Sequence, residues 1–224
     1  MDIQELLQKP NVRINIIGDS IAAGAGSTGS YKTEQLIFED DKQFFRRVAP
    51  NSWWGLLEAD LKKKNSTLTV TNNGCGGAYS YQIKNHLDEI ISEEDDIVLI
   101  LFGLNDRKRK DGMTELKENS EKILDKLISL GKTVVVLTPN PSVQSNEYYE
   151  NRFYHTDEVV RILKGVAEDR CVQCIDLYQY ILDYLEDHNQ KIEEIIFNPD
   201  GGGDGLHPGD FAQKLMFKKI KAVF

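Results

Sequence analysis

The chain lacks several features that would place it in a specialised class. Its 224 residues include only three cysteines, an odd number without the paired spacing of a secreted disulfide framework. No apolar run approaches the length of a membrane-spanning helix. Basic residues are outnumbered, with 27 Lys and Arg against 36 Asp and Glu and a formal net charge of -9. This charge balance disfavours a nucleic-acid partner, which would require a surplus of basic side chains.

The amino terminus also lacks the pattern of an export signal. It reads MDIQELLQKP, acidic and polar where a signal peptide would be basic and then apolar. Together with the cysteine count, this predicts a cytoplasmic protein without stable membrane insertion. The length suits one fairly large domain with a layered core, so we expect residues 1–224 to form a single domain. The oligomeric state is left open by the sequence.

Five short apolar runs rich in Val, Ile and Thr predict buried strands. They are VRINII (12–17), TLTVT (67–71), DIVLILF (96–102), TVVVLT (133–138) and CVQCID (171–176). Segments with helical spacing alternate with these runs and begin at Ser52, Tyr79, Thr114, Asp157 and Phe211. The alternation predicts an α/β fold, a three-layer αβα sandwich around a mainly parallel sheet of about five strands.

Two connections are longer and more polar than the fold requires. They cover residues 25–50 and 139–156, and each follows the carboxyl end of a predicted strand. Because open parallel sheets bind ligands at that edge, both segments are candidate walls or lids of a pocket. The alternative is that both are solvated excursions.

Three side chains have the chemistry of a nucleophile, a base and an orienting acid. Ser20 closes the run IIGDS after the first strand, and GDGLHP (203–208) contains Asp204 and His207 three residues apart. A serine hydroxyl becomes a good nucleophile when a neutral imidazole removes its proton, and a carboxylate can hold that imidazole in the required tautomer. The constellation predicts a serine esterase; a surface turn capping a helix is the plainer interpretation of GDGLHP alone.

Two further segments offer hydrogen-bond donors to an oxyanion. NNGCGG (72–77) follows the second predicted strand, where a glycine lets a substrate oxygen approach the backbone N–H. LFGLND (101–106) ends the third strand with Asn105, whose side-chain amide is a neutral donor. The donors would converge with the three side chains above if all segments end at the same sheet edge.

These segments resemble, block by block, the SGNH hydrolases, also called the GDSL family. GDSIAAG (18–24) matches the nucleophile block, NNGCGG the glycine block, GLND (103–106) the Asn block and DGLHP (204–208) the block with the acid and base. The resemblance implies a flavodoxin-like SGNH hydrolase fold. It assigns the nucleophile to Ser20, the oxyanion donors to Gly77 and Asn105, the orienting acid to Asp204 and the base to His207. Gly74 is the second candidate for the oxyanion glycine.

The resemblance also implies hydrolysis of a small-molecule carboxylic ester through an acyl-enzyme, with no metal or organic cofactor. We expect small or medium acyl groups, with a carbohydrate O-acetyl ester ahead of a lysophospholipid or thioester. Acyl transfer by the same residues stays open. A non-catalytic module that binds ligands in the same pocket is the alternative from another class.

Other motifs carry weaker signals. GAGSTG (24–29) matches a dinucleotide-binding fingerprint but does not form the turn between a strand and a helix. Cys171 and Cys174 form a CxxC pattern, but we place both in a strand, where their thiols would point to opposite faces and pack in the interior. The basic run 107–110 predicts a solvated loop; the alternative is a pocket rim that attracts an anionic substrate.

Overall fold

A five-stranded parallel sheet forms the centre of the computed structural model, which describes residues 3–224. The strands are β1 (Arg13–Gly18), β2 (Tyr31–Glu39), β3 (Gln43–Val48), β4 (Thr69–Gly74), β5 (Ile97–Leu101), β6 (Thr133–Leu137) and β7 (Gln173–Ile175). The central sheet has the order β4-β1-β5-β6-β7, and every pairing in it is parallel. The five predicted strands are therefore confirmed. Most of their ends differ from the predicted ends by one or two residues.

Helices cover both faces of this sheet. They are α1 (Ile3–Leu7), α2 (Trp53–Lys64), α3 (Ser80–Asn85), α4 (Leu87–Ile90), α5 (Gly112–Ser129), α6 (Gln144–Glu147), α7 (Thr156–Asp169), α8 (Leu177–Asp187), α9 (Glu193–Ile196) and α10 (Asp210–Lys221). Side chains of α1, α2, α8 and α10 form one buried cluster against the sheet, and those of α3, α4, α5 and α7 form another. Successive strand residues belong to opposite clusters: Ile16 packs in the first and Ile17 in the second. The αβα sandwich is thus confirmed.

The ends of two helices follow the local chemistry of the sequence. The Ser52 side chain accepts a hydrogen bond from the Gly55 N–H and caps α2 at its amino terminus. Helix α5 ends at Ser129, and Gly131 beyond it has a φ of 72°, the left-handed conformation that stops a helix. The residue types account for both boundaries.

The segment 25–50 is more regular than its sequence suggests. Strands β2 and β3 form an antiparallel hairpin that is separate from the central sheet. Most of β2 is exposed, while Phe38 and Phe44 are buried and pack against each other with ring centroids 4.7 Å apart. The hairpin is held to the rest of the fold by Phe38, which stacks on His86 at 4.3 Å between centroids.

Three further details differ from the sequence predictions. Helix α8 was not predicted, although Asp176 caps it and the buried Leu177, Ile181 and Leu185 recur every four residues. The single helix predicted from Tyr79 is interrupted at His86, which separates α3 from α4. The placement of Cys171 in a buried strand was wrong: it lies before β7 in an exposed turn with a φ of 52°. Only Cys174 of that pair belongs to β7.

Within residues 3–224, no helix is both long and apolar enough to cross a membrane.

Candidate active site

Ser20 lies at the carboxyl edge of the central sheet, two residues beyond the end of β1. A Cβ atom at Gly18 would lie 1.8 Å from the Leu101 carbonyl oxygen, so only glycine allows this close approach of β1 and β5. The Ser20 carbonyl accepts a hydrogen bond of 3.0 Å from the Ala25 N–H, which closes a compact turn. The chain therefore holds the partly buried Ser20 side chain at the edge where parallel sheets bind ligands.

His207 connects Ser20 to Asp204 through its two ring nitrogens. Its Nε2 atom lies 2.8 Å from Ser20 Oγ, and its Nδ1 atom lies 2.6 Å from Asp204 Oδ2. Both distances are those of hydrogen bonds. The first joins two residues, Ser20 and His207, that are 187 positions apart in the chain. With a proton on Nδ1, the imidazole donates to the carboxylate and offers the Nε2 lone pair to the serine hydroxyl.

The Asp204 carboxylate is fixed by its own loop. Its Oδ1 atom accepts hydrogen bonds from the backbone N–H groups of Leu206 and His207, at 3.0 and 2.9 Å. Burial by itself would raise the pKa of Asp204, but the hydrogen bonds and the charge of His207 together hold that pKa well below its usual range. Asp204 is therefore ionised near neutral pH.

The segment 139–156, for which a pocket wall or lid and a solvated excursion were both considered, contacts the loop of Asp204. Asn146 Nδ2 donates to the Asp204 carbonyl at 2.6 Å, and Asn140 Nδ2 donates to the Leu206 carbonyl at 3.1 Å. The Val143 N–H adds a bond of 2.9 Å to the Gly205 carbonyl. Sequence reasoning missed these contacts; the only local signal was a polar, Asn-containing stretch after β6.

The sheet order places the two candidate oxyanion segments on either side of Ser20. Strand β1 lies between β4 and β5, so the loops that follow β4 and β5 flank the loop that carries Ser20. The Cys75 N–H donates to the Gly18 carbonyl at 2.7 Å on one side, and the Asp19 N–H donates to the Leu101 carbonyl at 3.0 Å on the other. The three loops thus meet at one point of the sheet edge.

The two candidate glycines differ in whether their N–H groups are available. Gly74 ends β4, its N–H donates to Asn72 Oδ1 at 2.8 Å, and a Cβ atom there would lie 2.4 Å from the Ala23 nitrogen. Gly77 has a φ of 77°, and among the described residues neither its N–H nor that of Ser20 donates to a protein acceptor. The geometry therefore favours Gly77 over Gly74 as an oxyanion donor.

Asn105 is buried, and its amide is oriented by two hydrogen bonds. Its Nδ2 atom donates to the Ala78 carbonyl at 3.0 Å, and its Oδ1 atom accepts from Lys108 Nζ at 3.0 Å. An amide nitrogen has two hydrogens, so one N–H of Asn105 is left for a substrate oxygen.

Two buried carboxyl groups lie behind these loops and were not predicted as functional. Asp19 accepts a hydrogen bond from the Ile21 N–H, and burial raises its pKa to about 6. Asp106 accepts from the Ser80 hydroxyl at 2.6 Å, and burial raises its pKa to about 7. Asn119 donates in turn to the Ser80 hydroxyl at 3.0 Å. These contacts connect the turn after Asn105 to the start of α3 and to α5.

The basic run 107–110 is not a uniformly solvated loop. Arg107 is fully buried, where its guanidinium donates to Glu147 at 2.9 Å and to the Thr156 hydroxyl at 2.7 Å. Arg109 is exposed and paired with Glu115 at 2.7 Å. Lys110 is exposed, and Lys108 is partly buried against Asn105. The solvated-loop prediction was therefore wrong for Arg107 and Lys108, because both have partners inside the fold.

Among residues 3–224, no group of three or more His, Cys, Asp or Glu side chains is arranged to hold a metal ion.

The fold and the chemistry at its sheet edge define a serine ester hydrolase. Residues 16–215 match the model of the GDSL-like Lipase/Acylhydrolase family, and the chain belongs to that family. Its substrates are accordingly small-molecule esters. No curated protein matches the chain in a sequence comparison.

Solved structures of similar fold include a lipase/acylhydrolase from Enterococcus faecalis, with 24% identity, a TM-score of 0.68 and 93% of each chain covered. A catalytic mutant of Axe2, an acetylxylan esterase from Geobacillus stearothermophilus, has 17% identity and a TM-score of 0.70, with 96% of this chain and 94% of that chain covered. The acetyl xylan esterase AlAXEase has 19% identity and a TM-score of 0.68, with 94% and 98% covered. At these identities the likeness shows a shared fold.

Proposed function

We propose that the protein hydrolyses small or medium carboxylic acyl esters through an acyl-enzyme on Ser20. The observation that carries this proposal is the continuous hydrogen-bonded chain from Ser20 through His207 to Asp204. A hydroxyl held 2.8 Å from an imidazole nitrogen is within reach for proton transfer as it attacks a carbonyl carbon. The proposal treats residues 1–224 as one cytoplasmic hydrolase domain.

In the first half of the proposed cycle, Ser20 Oγ attacks the ester carbonyl while His207 Nε2 accepts the hydroxyl proton. Asp204 keeps the opposite ring nitrogen protonated and stabilises the imidazolium. The carbonyl oxygen becomes an oxyanion, which accepts hydrogen bonds from the N–H groups of Ser20 and Gly77 and from the Asn105 amide. Collapse of the intermediate transfers the proton from His207 to the leaving alcohol.

In the second half, water replaces the alcohol. His207 removes a proton from this water as it attacks the acyl carbonyl, and then gives that proton to Ser20 Oγ as the carboxylic acid leaves. Neither half requires a metal or an organic cofactor. An alcohol in place of water would give acyl transfer by the same steps.

The proposed acyl group is acetyl, and the proposed alcohol is a carbohydrate. The acetyl xylan esterases of similar fold support this choice over a lysophospholipid or a thioester. A panel of esters with acyl chains of two to twelve carbons, on a sugar, a glycerophospholipid and a thiol, tests it. Higher kcat/KM for the acetylated sugar than for the others is expected, and a maximum at a long acyl chain would contradict it.

Replacement of His207 by glutamine tests the proposed base. We expect kcat for a chromogenic acetyl ester to fall by about a thousandfold or more, because Ser20 then has no group to accept its proton. The matched control is His188→Gln, since His188 is exposed just after α8 and, among the described residues, its side chain hydrogen-bonds only the local Tyr184 carbonyl. The proposal fails if both variants retain the activity of the wild type.

A further inference from the structure

Two lysines contact the candidate oxyanion residues and an arginine lies near one of them, although the protein as a whole is acidic. Lys108 Nζ donates to Asn105 Oδ1 at 3.0 Å, and Lys42 Nζ donates to the Gly77 carbonyl oxygen at 3.5 Å. Asn105 and Gly77 thus each have an oxygen atom that accepts a hydrogen bond from a lysine ammonium group. Arg152 is the third cation, and its Nε atom is buried without a hydrogen-bond partner.

The contacts of its segment place Arg152 on the same side of the fold. The N–H of the following residue, Phe153, donates to the Arg107 carbonyl at 2.8 Å, next to Lys108. Burial lowers the pKa of Lys108, and the positive charges of Arg152, Arg107 and Lys42 lower it further. Arg152 is also close enough to feel the charge of Asp204. These effects agree with a group of cations gathered around one small region.

Within the part of the chain that the structure describes, Lys42, Lys108 and Arg152 form no ion pair. The charges of Glu147 and Asp204 reach Arg152, and that of Asp19 reaches Lys108. Of these acids, Glu147 is paired with Arg107 and Asp204 with His207. The positive charges of Lys42, Lys108 and Arg152 repel one another. An anion bound between them would therefore be stabilised.

The positive surface continues from Gly77 along the hairpin. Lys42 lies in the β2–β3 turn and lines a pocket of about 260 Å³ that extends from Gly76. The other cations of this pocket are Lys32 and Arg47, and no Asp or Glu among residues 3–224 lines it. This pocket adjoins Gly77, so a group extending from an ester carbonyl at Gly77 would meet positive charge there.

We propose that the substrate, an acetylated carbohydrate in the proposed function, also carries an anionic group, a carboxylate or a phosphate, bound by Lys42, Lys108 and Arg152. This inference rests on the proposed esterase function. Lys and Arg bind carboxylates and phosphates through charge-assisted hydrogen bonds, which are stronger than bonds between neutral groups. In this arrangement the anion compensates the three cations, and the ester carbonyl lies against Gly77 and Asn105.

Matched esters test the inference. The neutral member is methyl 4-acetoxybenzoate, and the anionic members are 4-acetoxybenzoate and 4-acetoxyphenyl phosphate. In both anionic esters the charge is on the alcohol part, as a carboxylate in one and as a phosphate in the other. The mono-4-nitrophenyl ester of succinic acid, compared with 4-nitrophenyl butyrate, places the anion on the acyl group instead. We expect kcat/KM of the wild type to favour at least one anionic member by about tenfold, and less so at high salt.

The double substitution Lys42→Gln and Arg152→Gln should lower this anionic-to-neutral ratio by about threefold to tenfold, while Lys63→Gln should leave it unchanged. Lys63 is an exposed cation in the last turn of α2, at the opposite edge of the sheet. Comparing ratios between variants cancels the intrinsic reactivities of the esters. Lys108→Met should lower kcat for every ester in addition, because Lys108 also orients Asn105.

The inference is overturned if no anionic ester is favoured, or if the double substitution slows anionic and neutral esters equally. The second result would mean that the cations only strengthen the oxyanion site. Hydrolysis of the neutral ester by the wild type would still support the proposed function in either case. If the wild type hydrolyses no ester at all, the proposed function fails and this inference fails with it.

Discussion

Replacement of Ser20 by alanine is expected to lower kcat for an acetyl ester by about ten-thousandfold or more. The alanine variant has no hydroxyl to form the acyl-enzyme, so only water attacking a bound ester would remain. The fold should be unaffected because Ser20 Oγ bonds only His207. Steady-state kinetics with matched circular dichroism spectra would measure both effects.

The control for this substitution is Ser66→Ala. Ser66 is exposed in the connection between α2 and β4, at the opposite edge of the sheet from Ser20, and its replacement should leave kcat and KM unchanged. A Ser20→Ala variant that retains kcat within tenfold of the wild type would exclude Ser20 as the nucleophile.

Of the substitutions considered, Arg107→Met should reduce stability most, lowering the free energy of unfolding by about 3 to 5 kcal/mol. Arg107 is fully buried, and its loss would leave the carboxylate of Glu147 without its cation. Burial alone would raise the pKa of Glu147, but the charge of Arg107 and hydrogen bonds from Ser142 and Thr156 keep it below its ordinary value. For a chain of this size the loss corresponds to a fall in Tm of about 6 °C or more.

A neighbouring residue provides the matched control for Arg107. Arg109 also pairs with a carboxylate, that of Glu115, but it is exposed, so Arg109→Met should cost about 1 kcal/mol or less. The double variant Arg107→Met, Glu147→Gln should recover part of the loss because it removes the unpaired buried charge. Chemical denaturation gives all three free energies. Equal effects of the two single arginine substitutions would contradict the structural role of Arg107.

The centre of the sheet could be predicted because β1, β5 and β6 are buried on both faces over nearly their whole length. A strand of this kind must be apolar throughout, as in the run from Ile97 to Leu101, and such a run is visible without knowledge of its neighbours. The positions of Ser20 and Asn105 follow from the same argument, since both come directly after such a strand. Their proximity to His207 then depends on the loops, which the structure brings together.

The features that could not be predicted depend on partners far away in the sequence. Arg107 looks like part of a charged loop until Glu147, 40 residues later, is seen beside it. Strand β2 is largely exposed, so burial leaves little pattern in its sequence. The contacts of Asn146 and Asn140 with the loop of Asp204 are side-chain bonds to backbone carbonyls, which no residue type specifies.

The most direct test of the proposed mechanism is the mass of the protein after reaction with a fluorophosphonate probe, followed by peptide mapping. An activated serine displaces the fluoride and retains the phosphonyl group. We predict one adduct per chain, on the peptide that contains Ser20, with none on the Ser20→Ala variant and much slower labelling of His207→Gln. No adduct on the folded wild type, or an adduct on a different serine, would contradict the assignment of Ser20 as the nucleophile.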